Sequence, residues 1–156
     1  AMERTDITLH QANVLILGYG RIGKVLSGML RGIGSRVTVE ARKSEDLAWI
    51  GESGCKAVSL SELDHVLGIQ DIIFNTVPAM MLDRPRLAKI NPECIIIDLA
   101  SDPGGVDYEA AREFGIHAGH DLSLPGIVAP KSAAKIICQV TREILERHFQ
   151  YDVMGR

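Results

Sequence analysis

The residues best able to do chemistry in this chain are Gly18-Tyr19-Gly20-Arg21-Ile22-Gly23. They directly follow an apolar run at 13–17. They directly open a stretch of helical period in which Ile22, Val25, Leu26, Met29, Leu30 and Ile33 recur at steps of three and one. Between a strand and a helix each glycine has its own task. Gly18 permits the tight turn, Gly20 lets a pyrophosphate approach the backbone, and Gly23 lets helix and strand pack closely. The helix N-terminus adds free N–H groups and a partial positive charge. The spacing therefore predicts dinucleotide binding through Gly18, Tyr19, Gly20, Arg21, Ile22 and Gly23, against the alternative of a glycine-rich turn without a ligand. Arg21 either adds charge beside the pyrophosphate or stands in solvent.

The end of the next strand chooses the coenzyme. An acid about 20 residues beyond the glycines bonds the ribose 2'-hydroxyl, whereas a basic residue accepts a 2'-phosphate. Counting to the strand end puts Ala41 in or beside that slot, followed by Arg42, Lys43 and Ser44, two cations and a hydroxyl donor. NADP is the expected cofactor. NAD is the second choice, because a register shift of one residue would bring the Glu40 carboxylate to a 2'-hydroxyl, and strand alternation puts Glu40 and Arg42 on one face.

The elements that must position these residues alternate along the chain. Short β-branched runs at 13–17, 36–41, 56–58, 71–77, 93–99 and 116–119 are separated by stretches of helical period, the mark of repeated βαβ units. Expected helices follow the glycine turn and recur at 45–53, at 61–67 with a Ser-x-x-Asp cap, at 85–89 and at 107–114 behind Asp107. A longer one opens near 130–132, carrying Ala133, Ile136, Ile137, Val140, Ile144 and Leu145 on one side, a face for an absent domain or a second copy of the chain. The predicted fold class is α/β, a doubly wound Rossmann arrangement with a mostly parallel six-stranded sheet in the order 3-2-1-4-5-6 and helices on both faces. In such a sheet ligands lie beyond the carboxyl ends of the strands. Thr76, Val77 and Pro78 after the fourth strand, and Ala100 and Ser101 after the fifth, are thus expected at the nicotinamide half. Asp98 is expected to be a structural or cofactor-contacting acid, and the catalytic acid or base is unassigned.

Composition sets the outer limits. The chain has 156 residues, 46% hydrophobic and 24% charged, with a formal charge of -3. That is one ordinary globular domain rather than a disordered chain, with no global electrostatic reason to bind nucleic acid or an anionic membrane. Cys55, Cys94 and Cys138 are odd in number and lack metal-site spacing, which fits a reducing cytoplasm. His117, His120 and Asp121 do not complete a metal site. Residues 1–12 read as a connector from an absent N-terminal domain, with Ala1 a tag remnant. Residues 13–150 read as the nucleotide-binding domain and 151–156 as a tail.

These motifs resemble those of the C-terminal nucleotide-binding domain in the A subunits of dipicolinate synthases from spore-forming bacteria, over nearly the whole chain. The resemblance rests on the glycine turn, Ala41-Arg42-Lys43-Ser44, Asn75-Thr76-Val77-Pro78, Asp98-Leu99-Ala100-Ser101 with Pro103-Gly104-Gly105, and Leu124-Pro125-Gly126-Ile127-Val128-Ala129-Pro130-Lys131. It implies oxidation of a dihydrodipicolinate-level dicarboxylate to dipicolinate during sporulation, with NAD(P) as hydride acceptor. It also implies an N-terminal domain outside this sequence, together with a second, flavoprotein-like subunit. Without that domain the fragment is expected to bind cofactor and not complete catalysis. The broader resemblance is to the cofactor domains of D-2-hydroxyacid dehydrogenases. Those enzymes place a substrate-binding arginine after strand five and a general-acid histidine in the last loop, where this chain has Asp102-Pro103-Gly104-Gly105 and Pro125-Gly126. Hydroxyacid oxidation and a non-catalytic nucleotide-binding module are the alternatives.

Overall fold

The computed structural model describes residues 8–120 and Cys138. Two compact units divide the chain, Ala1–Leu122 and Ser123–Arg156. The expected last helix, the 122–131 loop, the tail and the start of the connector lie outside the described residues. Cys138 is exposed.

Six strands form one parallel sheet. In chain order the elements are β1 (Asn13–Leu17), α1 (Arg21–Gly32), β2 (Arg36–Glu40), α2 (Ser44–Glu52), β3 (Lys56–Val58), β4 (Ile72–Asn75), α3 (Arg84–Leu87), β5 (Ile95–Asp98), α4 (Tyr108–Glu113) and β6 (His117–His120). The strand order β3-β2-β1-β4-β5-β6 is the doubly wound order the alternation predicts. Side chains alternate across the strands into two cores. Val14, Ile16, Val37, Val39, Ile72 and Phe74 pack with Leu30 of α1 and Ile50 of α2. Leu15, Leu17, Val58, Ile73 and Ile96 pack with Leu63, Leu67, Leu87 and Ala110. Burial on both faces is why β1, β4 and β5 are almost continuously apolar.

Register aligns the carboxyl ends. Glu40 pairs with Leu17, Leu17 with Asn75, Asn75 with Asp98 and Asp98 with His120. The result is a row of polar side chains along one sheet edge, interrupted only by Leu17. Strands β4 and β5 stop there, short of the expected 77 and 99, because their last side chains take up the next amides. Asn75 Oδ1 accepts from Val77 N–H at 3.1 Å, and Asp98 Oδ1 from Ala100 N–H at 3.0 Å. Strand β2 ends at Glu40, one residue before the expected Ala41.

Helix α1 docks by its small side. Gly23, Ser27 and Leu30 are buried, whereas Ile22, Val25, Met29 and Ile33 are 51%, 64%, 66% and 49% exposed. The apolar stripe read from the sequence is therefore split, with Leu30 and in part Leu26 turned to the core and Ile22, Val25, Met29 and Ile33 turned away from the sheet. The cause is close approach: a Cβ on Gly23 would run into the Gly18 carbonyl, so no side chain fits at that point of the inner face. Gly34, at φ +87°, ends the helix as expected, with its N–H on the Arg31 carbonyl. The predicted helix at 61–67 is instead two short 3-10 turns, Leu63–His65 and Leu67–Ile69. Its intended cap residue, Asp64, is taken by Arg86 at 3.0 Å and Lys89 at 2.7 Å, while the capping contact is made earlier, by Ser59 with Glu62.

Gly23→Ala is expected to destabilise the fold by about 1–3 kcal/mol through overpacking. Gly20→Ala, whose Cβ would meet no atom, should cost less than about 1 kcal/mol. Urea unfolding of the two variants measures the contrast, and equal losses would count against the close approach at Gly23.

Candidate functional site

The glycine turn, the segment after β2 and the segment after β4 meet around one cleft of about 510 Å³. Gly18, at φ +92°, lies hard against the β4 segment. A Cβ there would sit 2.7 Å from Val77 Cγ2 and 2.8 Å from Thr76 Oγ1, so a side chain would force the two segments apart. Thr76 locks the same junction from its side, its N–H and hydroxyl both donating to the Leu17 carbonyl at 3.0 and 2.8 Å. Gly20, the residue before α1, faces open space. The first amides of the helix are thus presented at a fixed, uncovered position.

Most of the expected residues gather here. Gly18, Tyr19, Gly20, Arg42, Lys43, Thr76, Val77 and Pro78 all line the cleft. Others do not. Arg21 and Ile22 line a separate apolar groove on the outer side of α1 with Val25, Leu26 and Met29. Gly23 is buried beneath the turn. Ser44 opens α2 beside Lys43 and lies outside the lining, as do buried Ala100 and exposed Ser101.

Four further residues complete the wall, among them Ala41, which was expected in or beside the ribose slot. Lys24 and Asp46 escape sequence reading, and Glu40 enters it only as the alternative acid. Lys24 follows the motif, its N–H donating to the Gly20 carbonyl at 2.9 Å. Its ammonium lies 5.0 Å from the Tyr19 ring centre and 3.9 Å from Asp46 Oδ1. Its spacing of four from Gly20 was the available signal. Glu40 is only 2% exposed, and its Oε1 has no hydrogen-bond partner among the described residues. Burial pushes its carboxyl above the ordinary carboxylate range, opposed by the Gly18 amide and the nearby Arg42 and Arg86 charges.

Asp98, in the same row, is fully buried but saturated. It accepts from Asn75 Nδ2 at 2.8 Å, Ala100 N–H at 3.0 Å, Gly105 N–H at 2.7 Å and the Tyr108 hydroxyl at 2.7 Å. Burial and then the Asp98 contact raise the Tyr108 phenol far above its usual range. His120 stacks on Tyr108 and donates from Nε2 to the Ala100 carbonyl at 2.9 Å, since a carbonyl can only accept. Asn75, Asp98 and Tyr108 therefore hold the β4 and β5 ends together and present no free group to a ligand. The Cys94 thiol, pushed up to about 12 by burial and by Asp71, is an inert core group. Among the described residues no group of three His, Cys, Asp or Glu side chains could hold a metal, and no helix is long and apolar enough to cross a membrane.

An uncovered helix N-terminus, three rim cations and an unpartnered buried carboxyl oxygen complement the phosphates and ribose hydroxyls of a dinucleotide. Topology and cleft together define the class, a dinucleotide-binding α/β domain. A family model, the D-isomer specific 2-hydroxyacid dehydrogenase NAD binding domain, matches residues 2–110, and the chain belongs to that family. The matched family is one of NAD-binding domains. The more particular resemblance is to the A subunit of dipicolinate synthase. The chain is 42% identical over 146 residues to that protein of Bacillus subtilis (strain 168), covering 93% of this chain and 49% of the relative. The crystal structure of its Bacillus halodurans counterpart matches with a TM-score of 0.89 at 40% identity, over 92% of this chain and 50% of that one. The crystal structure of the Bacillus subtilis protein matches at 0.91 and 39%, over 94% and 49%. The chain spans about half the length of these relatives.

Asp98→Ala leaves four buried or half-buried donors without their acceptor, and a loss of about 3 kcal/mol or more in urea unfolding is expected. Glu40 gives a pH signature of the opposite kind. Its folded carboxyl titrates above the unfolded value, so its contribution is present at low pH and is lost as pH rises through the raised folded value. The melting temperature of Glu40→Gln relative to the parent should climb across that window. A difference that stays constant from pH 4.5 to 8 would show no such coupling.

Proposed function

We propose that the chain is the coenzyme-binding half of the A subunit of a dipicolinate synthase, and that it uses NADP, with NAD the second choice. The observation carrying this reading is the meeting, on one cleft, of the glycine turn, the Arg42-Lys43 pair and the 76–78 segment. The N-terminus of α1 and the open backbone at Gly20 would hold the pyrophosphate, with Lys24 at the rim. Arg42 and Lys43, with Ser44 behind them, would hold the 2'-phosphate. Thr76, Val77 and Pro78 would border the nicotinamide, and Ala100 and Ser101 the ground beyond it.

Bound coenzyme supplies the hydride-accepting carbon. The chain's own task is orientation: Thr76 and Gly18 hold the β4 segment in one position, and the Asp98 contacts fix the β5 end, so a reacting carbon is met at a constant distance. The substrate is a dihydrodipicolinate-level dicarboxylate, oxidised to dipicolinate in a cleft shared with an N-terminal domain joined through residues 1–12. Residues 13–150 form the coenzyme domain. A flavoprotein-like second subunit works with it in the cytoplasm, in sporulating cells. Hydroxyacid oxidation is the second reading, favoured by the family match. Against it, residues 99–105 contain no arginine, and Gly105 is clasped by Asp98.

Calorimetry with NADPH and NADH is the direct test, and tighter binding of NADH would reverse the coenzyme choice. Arg42→Ala should weaken NADPH about tenfold or more, the worth of a charge-assisted hydrogen bond, while changing NADH little. For the reaction, full-length protein with its second subunit should raise the ultraviolet absorption of dipicolinate, and turnover of 2-hydroxyacids instead would favour the second reading.

A further inference from the structure

Of the three cations that line the cleft, the one carried by α1 is already engaged. Lys24 sits near the end of the first turn of that helix. Its ammonium has two neighbours in the cleft wall, the Tyr19 ring with its centre 5.0 Å away and Asp46 Oδ1 at 3.9 Å. Asp46 stands in the first turn of α2, where the partial positive charge of a helix N-terminus favours a carboxylate. It lines the same cleft, its side chain 28% exposed against 54% for Lys24. An anion is thereby built into a wall whose other features attract anions, the open backbone at Gly20 and the Arg42-Lys43 pair. The stability of α2 does not require it, because Glu45 in the same turn already offers that helix a carboxylate. Nor is the pair a strong one. At 3.9 Å it is too long for a hydrogen bond, and exposed ion pairs hold by a factor of only about two to five. A charge-assisted bond from an ammonium to a phosphate is worth roughly ten- to a hundredfold. Between the two anions, a phosphate wins.

We propose that Asp46 competes with the coenzyme for Lys24, and so sets how readily the cleft releases a dinucleotide. This rests on the coenzyme reading above. In the structure Lys24 rests on Tyr19 and Asp46. A pyrophosphate at the N-terminus of α1 draws the ammonium away, because that contact is the stronger. Asp46 is then left facing an anionic ligand without its cation. Each bound coenzyme carries that loss, and the return of Lys24 to Asp46 helps to expel it. A domain that exchanges its coenzyme at every turnover benefits from such a competitor, since release of a product often limits the overall rate. Both nicotinamide coenzymes carry the same pyrophosphate, so the competition acts on both and does not choose between them.

The test is a double-mutant cycle on the 156-residue chain, with Kd for NADPH and NADH measured by calorimetry at constant ionic strength for the parent, Asp46→Asn, Lys24→Met and the two substitutions together. Asp46→Asn should tighten both coenzymes about two- to fivefold, the strength of an exposed ion pair, and stopped-flow displacement should show the gain as slower dissociation. In the Lys24→Met background the same substitution should lose most of that gain. Asp46→Ser, a second uncharged side chain, should reproduce the result in the parent, and a gain with only one of the two would overturn the charge argument. Weaker binding by Asp46→Asn would also overturn the proposal, since it would make Asp46 a residue that positions Lys24 for the phosphate. A gain that persists undiminished without Lys24 would overturn it in favour of direct repulsion between Asp46 and the ligand, as would a gain confined to NADPH. Each of these results leaves the coenzyme reading intact. Absence of binding of either coenzyme to the folded parent would overturn that reading, and this inference with it.

Discussion

The contact between Gly23 and the Gly18 carbonyl is the constraint on which the cleft depends. There is no room between them for a methyl group. That closeness brings α1 down onto the end of β1, so its first amides open directly over the carboxyl edge of the sheet. It also decides which face of the helix turns inward. Gly23, Ser27 and Leu30 go in, and Ile22, Val25, Met29 and Ile33 go out. The turn is then held from the far side, because Gly18 leaves no space against Thr76 and Val77. One steric condition therefore sets the helix position, the helix rotation and the separation of the two segments bordering the cleft.

A second anchor works at the other half of the sheet edge by hydrogen bonding rather than by close approach. Asp98 gathers Asn75, Ala100, Gly105 and Tyr108 around one carboxyl group. Glu40 occupies the equivalent edge row two strands beyond Asn75 and has the opposite environment, an oxygen with no partner. Buried carboxyl groups are retained at a cost unless their oxygens are satisfied. Asp98 meets that condition from within the fold. Glu40 does not, and the missing partner is consistent with a hydroxyl or proton supplied from the cleft it lines.

What the sequence made legible follows from which forces are local. The strand order was readable because alternation of short apolar runs with helical periods permits few other topologies. The cleft segments followed from the rule that ligands sit beyond strand carboxyl ends. Lys24 was missed because its relevance comes from the turn geometry that aims the first helical residues. Arg21 and Ile22 were read as cofactor contacts, yet α1 is rotated by the Gly23 packing and carries them to its outer groove. Asp98 was expected to be a structural or cofactor-contacting acid, and its structural partner was not legible: it bonds Asn75 across neighbouring strands, a pairing that only register reveals. The 61–67 helix failed for a related reason, since Asp64 of its Ser-x-x-Asp pattern is engaged by Arg86 of α3 and by Lys89 just beyond it.

The charge pattern of the cleft explains how discrimination can arise in a molecule of net charge -3. With an overall negative field, a phosphate gains nothing at long range, and attraction begins only where Lys24, Arg42 and Lys43 are near. Lys24 is already partly neutralised by Asp46. Among the described residues Arg42 and Lys43 form no ion pair, so the positive charge left in the cleft belongs to the pair beyond β2, beside Glu40. On the proposed reading, two coenzymes that differ by one phosphate would present the same pyrophosphate to the helix and the same nicotinamide to the 76–78 segment. Neither contact can distinguish them. On that reading the difference in their binding comes from the short stretch in which an acid and two cations stand side by side, Glu40 with Arg42 and Lys43.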